Sequence, residues 1–372
     1  MTNAAIGVGI IGVNPDRGWA STAHIPALRA LDRFEIRAAS TSSQASAEAV
    51  AEKFGVASTP DYNELVARDD LDLVVVTVRA PKHLELVSAA LRAGKAVYCE
   101  WPLGASLAEA RTMALLADTQ GVATIIGLQA RQSPQVQYAR DLVAGNWLGE
   151  VLSTSIVGIQ STGDVVDPAN AYMMDKTTGA SLLTVSVGHS VDMLDHVLGE
   201  FDSLSAVTAV RRPFMTVAGT SQRIAKTAAD QVGVLGTLTS GAIASLHIHE
   251  GAAGGTGFVW EINGTEGTLR MTADWAVPEM FPLTIYGSKG GDPIAELDVP
   301  MTYRHEQEAV ASLAATPAYN VARTYASFAN DIDHGTHATA GFEQAVLRHE
   351  LIAAIEAAAA SGSRGALRPV GL

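Results

Sequence analysis

Between residues 5 and 127 the chain alternates short β-branched runs with alanine-rich amphipathic stretches, and no other feature limits its fold so narrowly. IGVGIIGV, FEIRAAS, LDLVVVTV, AVYCE and ATIIGL are strand candidates. SAEAVAEKFG and HLELVSAALRAG, which lie between them, set apolar residues three and four apart and end on Gly, the residue that stops a helix. Such a series predicts repeated βα units around a parallel sheet. LVVVTV is apolar throughout, as a central strand covered on both faces must be.

After Leu128 the texture changes. QARQSPQVQYARDLVAGNWLG reads as a linking helix, followed by long runs with period-two alternation: EVLSTSIVGIQ, DSLSAVTAVRR, DQVGVLGTLTSGAIASLHIHE, FVWEINGTEGTLRMT and PLTIYGS. These predict a large, mostly antiparallel sheet with one face covered and the other open. GHSVDMLDHVLG interrupts it as a helix, and NVARTYASFANDI and FEQAVLRHELIAAIEAAAASG close the chain as helices. The expected fold is therefore α/β plus α+β. A dinucleotide-binding domain spans 1–127 and a domain for substrate and oligomerisation spans 128–372, its last helices packing back towards the first. A chain of 372 residues is too long for one ordinary core, which agrees with two domains.

Charge narrows the partners. Lys plus Arg number 25 against 39 for Asp plus Glu, a net charge of −14 that repels phosphate backbones and anionic membranes. Nucleic acid and membrane are thus not expected partners, and a small-molecule substrate is. Cys99 is the single cysteine, which excludes an internal disulfide and any cysteine-based zinc cluster. With no basic leader and no apolar run of about 18–20 residues, the expected location is the cytoplasm. An alternating sheet with one face to cover suggests a homodimer or homotetramer.

The first strand runs into GIIGVNPDRGWASTAHIPAL. A glycine there lets the backbone turn sharply against a pyrophosphate while the next helix faces the anion. Gly12, Asn14, Gly18, Trp19 and Ala20 are the candidate contacts, with Asn14 where a second glycine is usual; Asn is the next best residue for a positive φ. The second strand ends Ala39-Ser40-Thr41-Ser42-Ser43 without the carboxylate that would bind a ribose 2′-hydroxyl, so Thr41 and Ser42 favour NADP over NAD, or else serve as helix caps.

With CEWPLG and GHSVDML following in that order, the chain resembles the Gfo/Idh/MocA oxidoreductases over essentially its whole length, in a branch near the fungal galactose-pathway repressor. GVNPDRGWASTAHIPAL, EWPL, GLQARQSP and GHSVDML carry the resemblance. It implies a Rossmann domain, a nicotinamide cofactor and a hydroxylated substrate such as a sugar or cyclitol. The family's fourth strand usually ends E-K-P, the lysine carrying a proton; here it ends Glu100-Trp101-Pro102, and Trp cannot exchange a proton at neutral pH. The family's D-x-x-x-H becomes Val185 and His189.

His189 is then the expected proton carrier, titrating near neutrality, with Tyr172 and Lys176 from AYMMDKTTGAS as further catalytic candidates. Lys176 is otherwise a solvated loop lysine. Substrate contacts are expected from Trp101, Arg131, Asp175, His189 and Asp192, and further cofactor contacts from Arg79, His83, Glu100, Trp101, Pro102 and Gln129. Arg131 and Gln129 serve equally well as a hinge contact. Asp192 and His196 share the helical face of His189, but without an H-x-x-x-H pair no metal is expected. His247 and His249 point to one side of a strand, at an interface or a pocket edge. Three functions compete: an NAD(P)-dependent oxidoreductase, a catalytically silent NAD(P)-binding regulator, and a lyase, hydrolase or epimerase that uses the cofactor transiently.

Overall fold

In the computed structural model, residues 4–255, 257–280, 282–304 and 307–367 are described. The chain forms two compact units. The first ends at Gln129 and takes up the chain again through Leu347; the second runs from Ala130 to Arg304 and resumes at Arg348. The boundary expected at 127/128 thus falls after Gln129, and a late segment expected in the second domain belongs to the first unit.

The first unit contains β1 (Ile6–Ile11), β2 (Phe34–Ser40), β3 (Ala57–Thr59), β4 (Leu73–Val76), β5 (Ala96–Glu100) and β6 (Thr124–Gly127). They pair in parallel in the order β3-β2-β1-β4-β5-β6. Ile11 pairs with Ser40 and Val76, Val76 with Cys99, and Cys99 with Ile126, so the carboxyl ends of five strands lie level along one edge. That edge is where open parallel sheets bind ligands, at the switch between β1 and β4.

The crossovers are α1 (Ile25–Arg29), α2 (Gln44–Phe54), α3 (Tyr62–Val66), α4 (His83–Arg92) and α5 (Leu107–Gln120). Ser43 caps α2 by accepting the Ser46 N–H, and left-handed Gly55 ends it. The stretch read as a cofactor contact or a cap is, at Ser43, a cap.

In the second unit α6 (Pro134–Ala144) leads into β7 (Val151–Ile159) and the short β8 (Val165–Val166). Then come α7 (Gly188–Leu198), β9 (Phe201–Ala209), β10 (Phe214–Val217), β11 (Arg223–Ala225), β12 (Gln231–Leu238) and β13 (Ile243–His249). β14 (Phe258–Gly264), β15 (Gly267–Ala273), β16 (Thr284–Lys289) and β17 (Ala295–Glu296) come next. α8 (Glu308–Ala311) and α9 (Ala318–His334) lie in the first unit, α10 (Phe342–Ser361) begins there and ends in the second, and β18 (Gly365–Ala366) lies beyond it in the second unit.

The large sheet runs β17-β16-β15-β14-β7-β13-β12-β9-β18, antiparallel except where β13 meets β7. One face buries Ile156, Trp260, Ile262, Leu269 and Met271 with residues of α6, α7 and α10. Trp260 satisfies its buried indole by donating to Thr154 Oγ1 at 2.8 Å. The other face presents Val157, Val207, Leu235 and Ile243 as exposed apolar side chains, with Val207 71% and Leu235 58% exposed. A separate small sheet, β11-β10-β8, packs Met174, Met215 and Val217.

Candidate cofactor and catalytic sites

At the carboxyl edge of the first sheet, Gly12 has φ +101°, and a Cβ there would meet Val78 Cγ1 at 2.7 Å, so only glycine makes this turn. Gly18 has φ +95° with open space around it. Asn14 does something other than expected. Asn146 is the non-glycine residue with positive φ among the described residues, so Asn14 supplies no left-handed step. Its Oδ1 accepts the N–H groups of Asp16 and Arg17 at 3.0 and 3.1 Å, and its carbonyl accepts the Ser21 hydroxyl. Asn14 therefore shapes the loop by a side-chain turn.

A single turn of π-helix, Ala20–His24, opens the following helix, with Ala20 buried. The Trp19 Nε1 and the Gln129 Oε1 are buried without a hydrogen-bond partner among the described residues. Both follow strands at the carboxyl edge that carries the glycine-only turn, Trp19 after β1 and Gln129 after β6, and unspent polar atoms of this kind fit a dinucleotide's polar groups. Thr41 is buried and donates to the Ser43 carbonyl, Ser42 is exposed, and Arg79 is exposed at the end of β4.

The Glu100-Trp101-Pro102 turn is built from its flanks. His24, fully buried, lies 2.9 Å from Glu100 Oε1 through Nε2 and 2.6 Å from the Tyr325 hydroxyl through Nδ1. A carboxylate at Nε2 selects the tautomer that donates there and accepts from Tyr325 at Nδ1. Burial first, and Glu100 second, push the Tyr325 phenol well above its ordinary range, which keeps it a donor. Gly127 leaves room for this carboxylate: a Cβ would meet Glu100 Oε2 at 2.6 Å.

On the other flank His83 Nδ1 lies 3.0 Å from the Pro102 carbonyl and Nε2 2.9 Å from the Val78 carbonyl. Burial holds the His83 imidazole below its usual range, its backbone hydrogen bonds opposing. A neutral ring carries one N–H, so His83 donates to one of these two carbonyls, and the Cys99 Sγ also lies 3.3 Å from its Nδ1. The Trp101–Pro102 peptide is cis, and Trp101, 6% exposed, belongs to the apolar cluster of Val76, Cys99, Leu103 and Ile126.

In the second unit His189 is 4% exposed near the start of α7. Its Nε2 faces Glu279 Oε1 at 3.7 Å, and its Nδ1 is buried without a hydrogen-bond partner among the described residues. The sequence reading missed Glu279, ninety positions away in a loop with no motif.

Arg131 and Asp192, expected at the substrate, hold each other: Arg131 Nε and Nη2 donate to both Asp192 oxygens at 2.6 Å. Such a two-pronged charged pair is strong and rigid. Asp195, the buried Arg348 and Glu200 extend the network, Arg348 pairing directly with Glu200. The ion pairs lie within the second unit and are not a hinge contact.

Asp175, also expected at the substrate, accepts the backbone N–H and the hydroxyl of Thr177, and these bonds lower its carboxyl. Tyr172 is half-buried and Lys176 exposed in the same loop. The buried lysine of this region is instead Lys226, paired with Glu250; burial pulls its ammonium below the usual range.

A glycine-only turn at the switch point of a parallel sheet, joined to a chain that continues into a large open sheet, defines a two-unit protein with a dinucleotide-binding fold. Residues 6–128 match the oxidoreductase family with an NAD-binding Rossmann fold, and residues 134–273 match the C-terminal domain of Gal80p. The chain is 32% identical over 273 residues to the dehydrogenase aclE of Aspergillus oryzae, covering 69% of this chain and 74% of that one. It is 27% identical over 321 residues to the galactose/lactose metabolism regulatory protein GAL80 of Saccharomyces cerevisiae, covering 79% and 74%.

Among solved structures, a super-repressor mutant of Gal80p superimposes with TM-score 0.87 at 24% identity, covering 98% of this chain and 99% of that one. Levoglucosan dehydrogenase with NADH and levoglucosan gives 0.85 at 20%, covering 98% and 100%. The chain belongs to the Gfo/Idh/MocA oxidoreductase family, near its Gal80 branch. Nothing in these matches supports the preference for NADP, since the family is described as NAD-binding. Among the described residues no helix is long and apolar enough to cross a membrane.

Proposed function

We propose that the protein is a nicotinamide-dependent oxidoreductase acting on a hydroxylated or carbonyl small molecule, with His189 rather than a lysine at residue 101 handling the substrate proton. The observation that carries this reading is the buried His189, with a carboxylate on its Nε2 side and an unspent Nδ1. A bound nicotinamide would supply the hydride acceptor or donor. Glu279 stands 3.7 Å from Nε2 on one side of the ring, and Nδ1 takes or returns the hydroxyl proton, a contribution typically worth about 10²–10⁴-fold in rate.

Gly12 and Gly18 give the dinucleotide its backbone approach, and Trp19 and Gln129 offer it polar atoms. NAD is taken first because Thr41, Ser42 and Ser43 present no cation for a 2′-phosphate. The open sheet face, with Val157, Val207, Leu235 and Ile243, joins copies of the chain in a homodimer or homotetramer.

The test tracks NADH and NADPH absorbance against a panel of polyols and their carbonyl forms. His189→Ala lowers kcat by about 10²-fold or more at saturating substrate if the reading is right. An unchanged kcat removes His189 from the chemistry. The regulatory reading is favoured by one observation, the buried Trp101 where the family's proton carrier stands. Tight dinucleotide binding with no turnover across the panel would decide for it.

A further inference from the structure

The motif SLHIHEG plays no part in the cofactor and catalytic sites. In β13, His247 and His249 are two residues apart, so both side chains leave the same face of the sheet, the open one. His247 is exposed and His249 half-buried. The cross-strand partners of His247 are Gly233 on β12 and Val157 on β7, and Gly233 has no side chain to crowd the ring.

The two imidazole centroids are 5.3 Å apart, with planes inclined by 40°. Two imidazoles bound to one tetrahedral ion, with metal–nitrogen bonds of about 2.0–2.1 Å and ring centres about 1.1 Å beyond the nitrogen, have centroids roughly 5.2 Å apart. The centroid spacing of the free pair matches that of two imidazoles on one tetrahedral ion.

We propose that His247 and His249 form a two-imidazole site for a borderline divalent transition ion, of the class of zinc, nickel or copper(II). Two neutral nitrogens without a carboxylate or thiolate select these ions over magnesium and calcium, which require oxygen ligands. Among the described residues no third His, Cys, Asp or Glu stands close enough to make a cluster of three, so water completes the coordination shell. The site does not rest on the catalytic reading, since neither ring lies among its residues, but it stands beside Val157 on the open face proposed to join copies of the chain, so zinc is counted per chain at the oligomeric state found in the same sample.

The experiment is a calorimetric titration of the full chain with zinc chloride at pH 7.5, alongside His247→Gln and His249→Gln. Both positions are on a solvent-facing strand surface, and unchanged circular dichroism melts confirm that the variants fold. One zinc per chain is expected, each substitution weakening binding by at least about tenfold because a chelate becomes a single ligand. Magnesium is expected to give no heat. A smaller loss in either variant, or no saturable binding below about 1 mM zinc, overturns the proposal.

Discussion

His196, one face of α7 along from His189, is the sharpest test of the charge network in the second unit. Three donors converge on its two ring nitrogens: Arg131 Nη1 at 3.3 Å from Nδ1, and Gln137 Nε2 and Arg140 Nη1 at 3.2 and 3.4 Å from Nε2. A protonated ring would place a third cation among these groups. Burial first, then Arg131 and Arg140, lower the imidazole to about 4. An unfolded histidine titrates near 6.5, so between these values the unfolded chain binds the extra proton and the folded chain does not. Stability therefore rises with pH through this window and is lost on acidification.

The difference of about 2.5 pH units corresponds to roughly 3 kcal/mol lost between pH 7 and pH 4. His196→Gln keeps an acceptor for Arg131 and removes the titration. Urea unfolding of both proteins at several pH values should show wild type losing about 3 kcal/mol more than the variant, with other titrating groups cancelling. NMR titration of the His196 ring, assigned by its absence in the variant, should give a midpoint near 4. Parallel stability curves, or a midpoint near 6.5, would refute this account of the network.

Three further outcomes are expected. Trp101→Lys exchanges a buried indole for an ammonium in an apolar cluster and should cost about 3–5 kcal/mol, read as a fall in Tm; undiminished stability would show that residue 101 is not packing. Gly127→Ala drives a methyl into the Glu100 carboxylate and should destabilise the protein by about 1–3 kcal/mol and weaken dinucleotide binding, measured by melting and titration with NADH. Leu235→Asp on the open sheet should lower the mass found by light scattering, whereas an unchanged mass would place the interface elsewhere.

The range of an interaction along the chain decides whether the sequence discloses it. Strand runs such as LVVVTV and helices such as HLELVSAALRAG carry their burial in a local period, and both units were legible from it. Glu100 and His189 were found because they sit in compact motifs. Their partners were not: Tyr325 lies 301 positions from His24, and Glu279 stands in a loop without pattern. Arg131 and Asp192 were seen as charged residues near the site, but a sequence does not show two opposite charges spending their valences on each other. Asn14 was expected to supply a positive φ and instead shapes the turn by its amide, since an Asn side chain can do either.

The frame of the Glu100-Trp101-Pro102 turn is fastened on both sides of residue 101 and not by it. His24 and the space above Gly127 hold Glu100 on the N-terminal side, and the buried His83 ring lies between the Val78 and Pro102 carbonyls on the C-terminal side. The neighbours of residue 101 thus keep anchors of their own, while Trp101 adds its packing to the cluster beneath. A lineage built on this frame can trade a proton carrier for an indole by one substitution, and a dehydrogenase and a regulator can stay near neighbours in sequence while parting in chemistry.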